Sequence, residues 1–274
     1  MQGLKNLVLG VFAALGAGAT WAGYSWSFPQ PVTPIAHETL HVHNLFMVIA
    51  LTLFFGVLAL MLYSFYAHRK SRGVAAATFT GPRNRKQWLW VLSPFAFLLI
   101  LDYGVFGIPA YHAVKMYEDT KNDAELVVKV TGSQWLWQYE FPAEGVRFTS
   151  RLTTPREQIE NLEPKGEHYL LEVDNPLVLP VGKKIRFITT SNDVIHSWWV
   201  PAFGVKRDAV PGFLREFWAK VDTVGTYRGQ CSELCGKEHG FMPVVVNVVP
   251  EAEFKTWLDS KKAGVVAVAA KTTP

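Results

Sequence analysis

The two cysteines of the chain lie four positions apart in the segment that runs from Cys231 to Met242. His239 follows four residues after Cys235, and Met242 comes three residues after His239. Thiolate, imidazole and thioether groups form a soft nitrogen-and-sulfur ligand set of the kind that copper prefers. Because each thiolate can bridge two metals, the pattern favours a dinuclear copper centre. Such a centre needs a second imidazole, and the best candidate is His196.

Each of these residues also has an ordinary structural explanation when it is considered alone. Cysteines at this spacing in an oxidising compartment form a disulfide about half the time. A methionine ahead of an apolar strand, or a histidine in an apolar stretch, usually belongs to the core. All of these explanations would have to hold together by chance, so the sequence favours a metal site.

Composition places the chain at a membrane. Of 274 residues, 49% are hydrophobic and 10 are tryptophan, with a net charge of +4. The basic residues are clustered, and their placement indicates membrane orientation and not nucleic-acid binding.

Two apolar stretches, the first without any charged residue, predict a transmembrane hairpin within residues 24–110. Residues 45–66 and 88–108 are each long enough to cross a bilayer at about 1.5 Å per residue. Six basic residues in the loop between them predict that this loop is cytoplasmic. Residues 1–23 resemble an export signal, with a retained anchor as the alternative.

Asp102 lies inside the second predicted span. An ionisable residue in a membrane helix is a functional candidate, because its solvation in lipid is costly. The alternatives are that it hydrogen-bonds to a partner subunit or reaches the membrane surface.

The pattern changes to short β-rich segments between residues 125 and 249. Regular spacing with Gly and Pro punctuation indicates a sandwich or barrel. Metal ligands divided between one early and one late loop fit a Greek-key barrel with its site at one end. Residues 259–274 are expected to form a weakly ordered tail.

The chain resembles the subunit II family of cytochrome c oxidases over roughly residues 30–258. The motifs that carry the resemblance are Val130-Thr-Gly-Ser-Gln-Trp-Leu-Trp137, Leu171-Glu-Val-Asp-Asn175, Asp193-Val-Ile-His-Ser-Trp198, Val200-Pro-Ala-Phe-Gly-Val205, Asp208-Ala-Val-Pro-Gly212 and Gly229-Gln-Cys-Ser-Glu-Leu-Cys-Gly236. It implies an α+β membrane protein in which the hairpin precedes a Greek-key cupredoxin β-barrel at residues 125–258. It also implies a two-pass protein of the bacterial inner membrane, with the N-terminus and the barrel on the periplasmic side.

The resemblance further implies a dinuclear CuA centre. Its ligands would be His196, Cys231, Cys235, His239, Met242 and the backbone carbonyl of Glu233. The Glu233 carboxylate would reach a magnesium ion shared with the catalytic subunit. Trp135 matches the aromatic residue through which cytochrome c is thought to deliver its electron.

A basic cytochrome c would require an acidic docking surface. The candidate carboxylates are Glu140, Glu144, Asp174 and Asp193. Arg147 and Arg151 fall where the family tends to be acidic, so a less basic cytochrome c or a small copper protein is the alternative donor.

One position departs from the family where protons are expected to enter. Many members carry a glutamate near the cytoplasmic start of the second helix, and the matching residue here is Gln87, which cannot titrate.

The function implied is that of a subunit that accepts electrons from a c-type cytochrome and passes them to haem in a haem–copper catalytic subunit. Oxygen reduction to water would occur in that partner, with other subunits and lipid around it. The chain has no Cys-x-x-Cys-His haem motif, so the donor should be a separate protein. The alternatives are the CuA subunit of a nitric oxide reductase and a membrane-anchored copper carrier.

Overall fold

The computed structural model describes residues 27–75 and 81–272, and it describes side chains as far as residue 262. The predicted signal segment, residues 1–23, lies outside the described residues. Contacts divide the chain into two units, Met1–Gln30 and Pro31–Pro274. All features below belong to the second unit.

The first helix, α1, spans Pro34–Ala67. Thr33 caps it, since its hydroxyl oxygen accepts a hydrogen bond from the Ala36 amide at 3.0 Å, and Pro34 occupies the first helical position, where its missing N–H costs nothing. The helix begins eleven residues before the predicted span, because its polar first turns are helical as well.

The second hydrophobic segment is one continuous helical stretch from Arg85 to Glu118. It consists of α2 (Arg85–Leu99), a π-helical segment (Ile100–Gly107) and α3 (Ile108–Glu118). Asn84 caps α2 through the Gln87 amide at 3.0 Å, and the Gln87 side chain accepts from the Arg83 amide at 2.6 Å. The Gln87 side chain and amide therefore both take part in the N-terminal cap of α2.

Asp102 lies in the π-helical segment and is exposed. The wide turn places the Asp102 carbonyl 2.8 Å from where a Cβ of residue 107 would stand, so Gly107 fits where a larger residue would clash. π-helical turns occur mainly at functional positions.

Both helices are long and apolar enough to span a bilayer, and the rest of the described chain does not cover their apolar windows. Phe46 of α1 and Phe106 of the second helix approach with ring centroids 5.6 Å apart. Exposed phenylalanine, leucine and tryptophan side chains around the hairpin would be costly in water. This surface suits lipid or neighbouring membrane subunits.

Ten strands follow the hairpin and form two five-stranded sheets. In order these are β1 (Leu126–Ser133), β2 (Leu136–Phe141), β3 (Val146–Ser150), β4 (Leu177–Pro180), β5 (Lys184–Ser191), β6 (His196–Val200), β7 (Val205–Ala209), β8 (Arg215–Lys220), β9 (Gly225–Cys231) and β10 (Pro243–Val249). The sheet orders are β3-β2-β1-β5-β8 and β4-β10-β9-β6-β7. A short helix, α4 (Arg156–Ile159), lies between β3 and β4. The predicted cupredoxin fold after two apolar helices is confirmed.

Aromatic side chains fill the space between the two sheets. Trp137, Tyr139, Phe187, Trp198 and Phe217 are fully buried. Phe187 and Phe217 stack with centroids 4.6 Å apart, and the Trp198 indole N–H donates to the Tyr139 hydroxyl at 3.2 Å. Such burial and pairing supply much of the domain's stability. Trp137 and Trp198 are therefore core packing residues.

The hairpin and the sheets are joined at the outer ends of both helices. The buried Thr33 hydroxyl donates to the Phe203 carbonyl at 2.7 Å, and the Trp218 indole N–H donates to the Met116 carbonyl at 2.7 Å. Gly204, at φ +66°, lies so close to α1 that a Cβ would stand 2.6 Å from the Ala36 Cα. Only glycine satisfies both this conformation and this approach.

The last helix, α5, spans Glu251–Thr272. Phe254 and Trp257 pack against Phe141, with ring centroids 6.0 and 5.7 Å away. The helix continues through residues 259–272, where alanine and lysine favour helix. The weak order expected of this tail stays a prediction.

Candidate metal centre

The candidate ligands are brought together by two neighbouring strands and the loop that follows one of them. His196 is the first residue of β6 and Cys231 the last of β9. These strands pair antiparallel, with Trp198 opposite Cys231. The chain then turns back through Cys235 and His239 to reach Met242, directly before β10.

All six groups predicted as ligands converge there. The sulfur atoms of Cys231 and Cys235 are 3.9 Å apart. Nδ1 of His196 lies 4.0 Å from the Cys231 sulfur, and Nδ1 of His239 lies 3.4 Å from the Cys235 sulfur. The remaining two distances are 3.5 Å from the Cys235 sulfur to the Met242 sulfur and 3.3 Å from the Cys231 sulfur to the Glu233 carbonyl oxygen.

The site is shielded from water. His196 is fully buried, and the two cysteines and Met242 expose at most 3% of their surface. Gly132 of β1 lies against the His196 ring, where a Cβ would stand 2.8 Å from Cδ2. The Trp137 indole N–H donates to the Met242 carbonyl at 3.3 Å. Core residues thus fix the ligands before any metal binds.

Asp193 determines which nitrogen of His196 faces the sulfur atoms. Nε2 of His196 donates to Oδ1 of Asp193 at 2.8 Å, which leaves Nδ1 directed at Cys231. Burial alone would lower the pKa of His196, but hydrogen bonds with Cys231 and Asp193 outweigh it and raise the pKa. A carboxylate behind a histidine is the usual support of a metal ligand.

The two thiols differ in acidity. Burial opposes ionisation of Cys231, yet hydrogen bonds from His196 and the Ser197 amide lower its pKa below the ordinary value. Burial and the adjacent Cys231 charge raise the pKa of Cys235. A cation between the sulfurs would remove this repulsion, so metal binding must release a proton from Cys235.

The donor set fits copper. Both cysteines are free, and 3.9 Å between their sulfurs is well beyond the roughly 2.05 Å of a disulfide. Ligand atoms of His196, Cys231 and Cys235 lie within 4.8 Å of one another. Two thiolates, two imidazoles and a thioether in a dry pocket match the soft ligands that copper selects.

Glu233 contributes to the site through its backbone. Its carbonyl faces Cys231, whereas the residue as a whole is exposed. The carboxylate is therefore available to a second ion outside the sulfur pocket.

Trp135 lies next to the metal loop and is half-buried. A Cβ on Gly236 would stand 3.2 Å from Trp135 Cζ2, so the indole packs against the backbone that follows Cys235. The Gln134 side chain donates to the Cys235 carbonyl at 2.8 Å, and the Gln134 amide donates to Oδ2 of Asp193 at 2.7 Å. Gln134, next to the indole in sequence, thus contacts both the Cys235 backbone and the Asp193 carboxylate that supports His196.

The four predicted docking carboxylates do not form one cluster around Trp135. Asp193 is engaged with His196 and Gln134, and Asp174 accepts hydrogen bonds from the Arg151 and Asn175 amides, both at 2.7 Å.

Glu140 pairs with Lys129 at 3.8 Å and lies five residues along β2 from Trp135, about 16 Å at 3.3 Å per residue. Glu144 is half-buried in the turn after β2.

Sequence reasoning missed the supporting roles of Asp193 and Gln134. The only available signal was their position in the motifs that also contain His196 and Trp135. Neither spacing nor residue type distinguishes an aspartate that supports a histidine from an exposed one.

The sheets and the metal loop are similar to known proteins. Residues 126–249 match the family described as cytochrome c oxidase subunit II, periplasmic domain. The crystal structure of the periplasmic domain of cytochrome oxidase subunit II from Bradyrhizobium japonicum shares 44% identity, covers 52% of this chain and 96% of that one, and has a TM-score of 0.46.

Two relatives that are similar over most of the chain show the family to which it belongs. Cytochrome c oxidase subunit 2 of Cereibacter sphaeroides is 34% identical over 250 residues, which cover 86% of this chain and 80% of the relative. A probable cytochrome c oxidase subunit 2 of Rickettsia bellii is 34% identical over 266 residues, which cover 95% and 94%. The chain belongs to the cytochrome c oxidase subunit 2 family and is thus a subunit of an oxidoreductase.

Proposed function

We propose that this chain accepts electrons from a c-type cytochrome and passes them to haem in the catalytic subunit of a haem–copper oxidase, which reduces oxygen to water. The observation that carries the proposal is the convergence of two free, buried thiols with two imidazoles, a thioether and a carbonyl. When bound there, a pair of copper ions would supply one-electron redox chemistry, with the unpaired electron shared through the two sulfurs.

The residues of the chain prepare the site for fast electron exchange. Buried Cys231, Cys235 and His196 cannot rearrange freely, so little reorganisation accompanies a change of charge. Met242 and the Glu233 carbonyl would be the weaker donors of the set and would tune the potential. Asp193 holds the His196 tautomer and balances its charge.

Trp135 is proposed as the point at which electrons reach the site. It is half-buried, with part of its surface open to a donor, and it touches the backbone beside Cys235. Val194, Ile195 and Leu234, which neighbour the candidate ligands in sequence, are exposed and offer apolar contacts to the catalytic subunit. A magnesium ion shared with that subunit would bind the Glu233 carboxylate.

Orientation follows from charge. The loop between α1 and α2 and the first turn of α2 together contain six Lys and Arg residues in the sequence, which favour the cytoplasmic side. The sheets, the metal loop and Trp135 would then lie in the periplasm of a bacterial inner membrane, in reach of a separate cytochrome c.

Cys231→Ser tests the proposal. Serine oxygen is a poor bridge for copper, so the purified oxidase should lose copper from this subunit and its electron paramagnetic resonance signal from a shared unpaired electron. Ser232→Ala, at the next position, is the control and should retain both. An unchanged signal in Cys231→Ser would show that the thiols do not hold the centre.

A further inference from the structure

A surface cavity of about 440 Å³ adjoins Trp135. Trp135 and Leu136 line one side, and residues of the loop after β3 line the other. The residues that matter below are Trp135, Leu136, Arg151, Arg156, Glu238 and Phe241. A protruding side chain of a docked protein would fit this volume.

The charged groups of the cavity are mainly cationic. Arg151 and Arg156 are exposed guanidinium groups, and Glu238 is the one carboxylate among the lining residues. In the described part of the chain, the Arg151 guanidinium forms no ion pair, although the Asp174 carboxylate accepts from the Arg151 amide. Arg156 makes only a 4.0 Å contact with Glu160, across side chains that are 65% and 57% exposed. Such an exposed pair contributes little and leaves Arg156 available.

The pairing of β2 and β3 places Arg151 close to Trp135. Trp137 of β2 is opposite Ser150 of β3, so the next residue, Arg151, comes level with Leu136. The Arg151 amide is held by Asp174 at 2.7 Å. By contrast, Glu140 is opposite Arg147 near the far end of the strand pair.

We infer that the docking surface around Trp135 is cationic, and that the electron donor is a neutral or acidic protein that places an acidic side chain between Arg151 and Arg156. The inference rests on the proposed role of Trp135 in electron transfer. Arginine is suited to this task because its planar guanidinium binds carboxylates in a bidentate manner. The acidic surface expected from sequence would select the opposite charge in the donor.

The test uses the purified oxidase and two forms of one donor. Reduced basic mitochondrial-type cytochrome c serves as the first, and the same protein with succinylated lysines serves as the second, because succinylation reverses the surface charge without changing the haem. Stopped-flow measurement gives the second-order rate constant of electron transfer for each donor at several ionic strengths.

In the parent oxidase, the rate with the succinylated donor should fall as salt rises, since attraction is screened. Arg151→Glu with Arg156→Glu should lower that rate by about fivefold or more at low salt and should not slow the unmodified donor. The double variant Arg151→Gln, Arg156→Gln should lower the rate with the succinylated donor by a smaller factor. It is the control for misfolding caused by charge reversal.

Arg147→Glu is the control, because it makes the charge change of one of the two substitutions in an exposed residue of β3 outside the cavity. It should change neither rate by more than about twofold. Equal slowing of both donors, no slowing of either, or an effect of Arg147→Glu as large as that of the double variant would overturn the inference.

Trp135→Phe separates this inference from the proposed function. It should slow both donors alike if electrons pass through the indole. Unchanged rates would reject Trp135 as the electron-transfer residue. If Trp135→Phe slows both donors but the arginine variants do not distinguish between them, only the cationic docking surface is rejected.

Discussion

Asp193 connects the metal site to the loop that carries Trp135. One carboxylate oxygen accepts from His196 at 2.8 Å and the other from the Gln134 amide at 2.7 Å. The pKa of Asp193 is lowered, because hydrogen bonds from His196, Gln134 and Val194 outweigh its partial burial. It is therefore an anion that orients a ligand and anchors a neighbouring loop.

Asp193→Ala should weaken copper binding by about 10- to 100-fold, as loss of a supporting hydrogen bond to a ligand commonly does. A competition titration against a chelator of known affinity measures this directly. Asp193→Asn keeps an oxygen acceptor and should lie between parent and alanine variant. Asn192→Ala, at the adjacent exposed position, should bind copper like the parent, and an affinity for Asp193→Ala equal to the parent's would contradict the role.

At this scale the sequence, with the family resemblance, predicted the six candidate ligand groups that converge in the structure, but not the hydrogen bonds of Asp193 and Gln134 that support them. Cysteine, histidine and methionine have few reasons to cluster, so their spacing was informative. Aspartate is common on surfaces, and its bond to His196 depends on the path of the loop from residue 192 to 195. That path is a property of the packed sheets and could not be read from spacing.

Strand β1 supports the site from behind. Gly132 is paired on one side with Trp137 of β2 and on the other with Ser191 of β5. The strand cannot move away from the His196 ring without breaking these ladders. A Cβ on residue 132 would stand 2.8 and 2.9 Å from two ring carbons of His196 and 3.0 Å from its Cβ. A small residue is required there because an imidazole fills the space.

Gly132→Ala should therefore displace His196 and lower copper affinity by about tenfold or more, while the fold is retained, because overpacking of this kind typically costs 1–3 kcal/mol. Copper content and circular dichroism of the purified protein distinguish the two effects. Gly166→Ala is the control, since nothing lies within 4 Å of a Cβ there. Full copper occupancy with unchanged affinity would show that the ring can move aside.

The elements themselves were predicted in type but not in extent. Apolar stretches located both membrane helices, yet α1 begins at Pro34 and the second helix ends at Glu118, beyond the apolar residues. Hydrophobicity reports the part of a helix that lies in lipid. The polar turns outside the bilayer are determined by caps and by contacts with the sheets.

The hairpin and the sheets are held together by a polar cluster as well as by packing. Glu216 of β8 accepts two hydrogen bonds from the Arg186 guanidinium of β5 and one from the Thr120 hydroxyl at 3.0 Å, two residues after α3. The Arg207 side chain donates to the Glu216 carbonyl at 2.5 Å. One glutamate thus links the end of the hairpin with three strands.

This cluster makes stability depend on pH. Hydrogen bonds from Arg186, which outweigh the opposing effect of burial, lower the pKa of Glu216 in the folded protein. A folded pKa below the unfolded value, about 4.3 for glutamate, stabilises the protein above that pH. This contribution disappears as pH falls through the folded pKa.

Glu216→Gln should lower the free energy of unfolding by about 1 kcal/mol at neutral pH, since a hydrogen bond to a charged group is lost near the surface. The difference from the parent should shrink as the pH falls below about 4, because the parent glutamate then becomes neutral as well. Urea unfolding of a soluble fragment that begins at Thr120, at pH 7 and at decreasing pH, measures both quantities. Glu167→Gln changes an exposed carboxylate of the same domain and should leave stability unchanged at each pH. A Glu216→Gln difference that stays constant with pH would mean that packing, and not charge, fixes the end of the hairpin to the sheets.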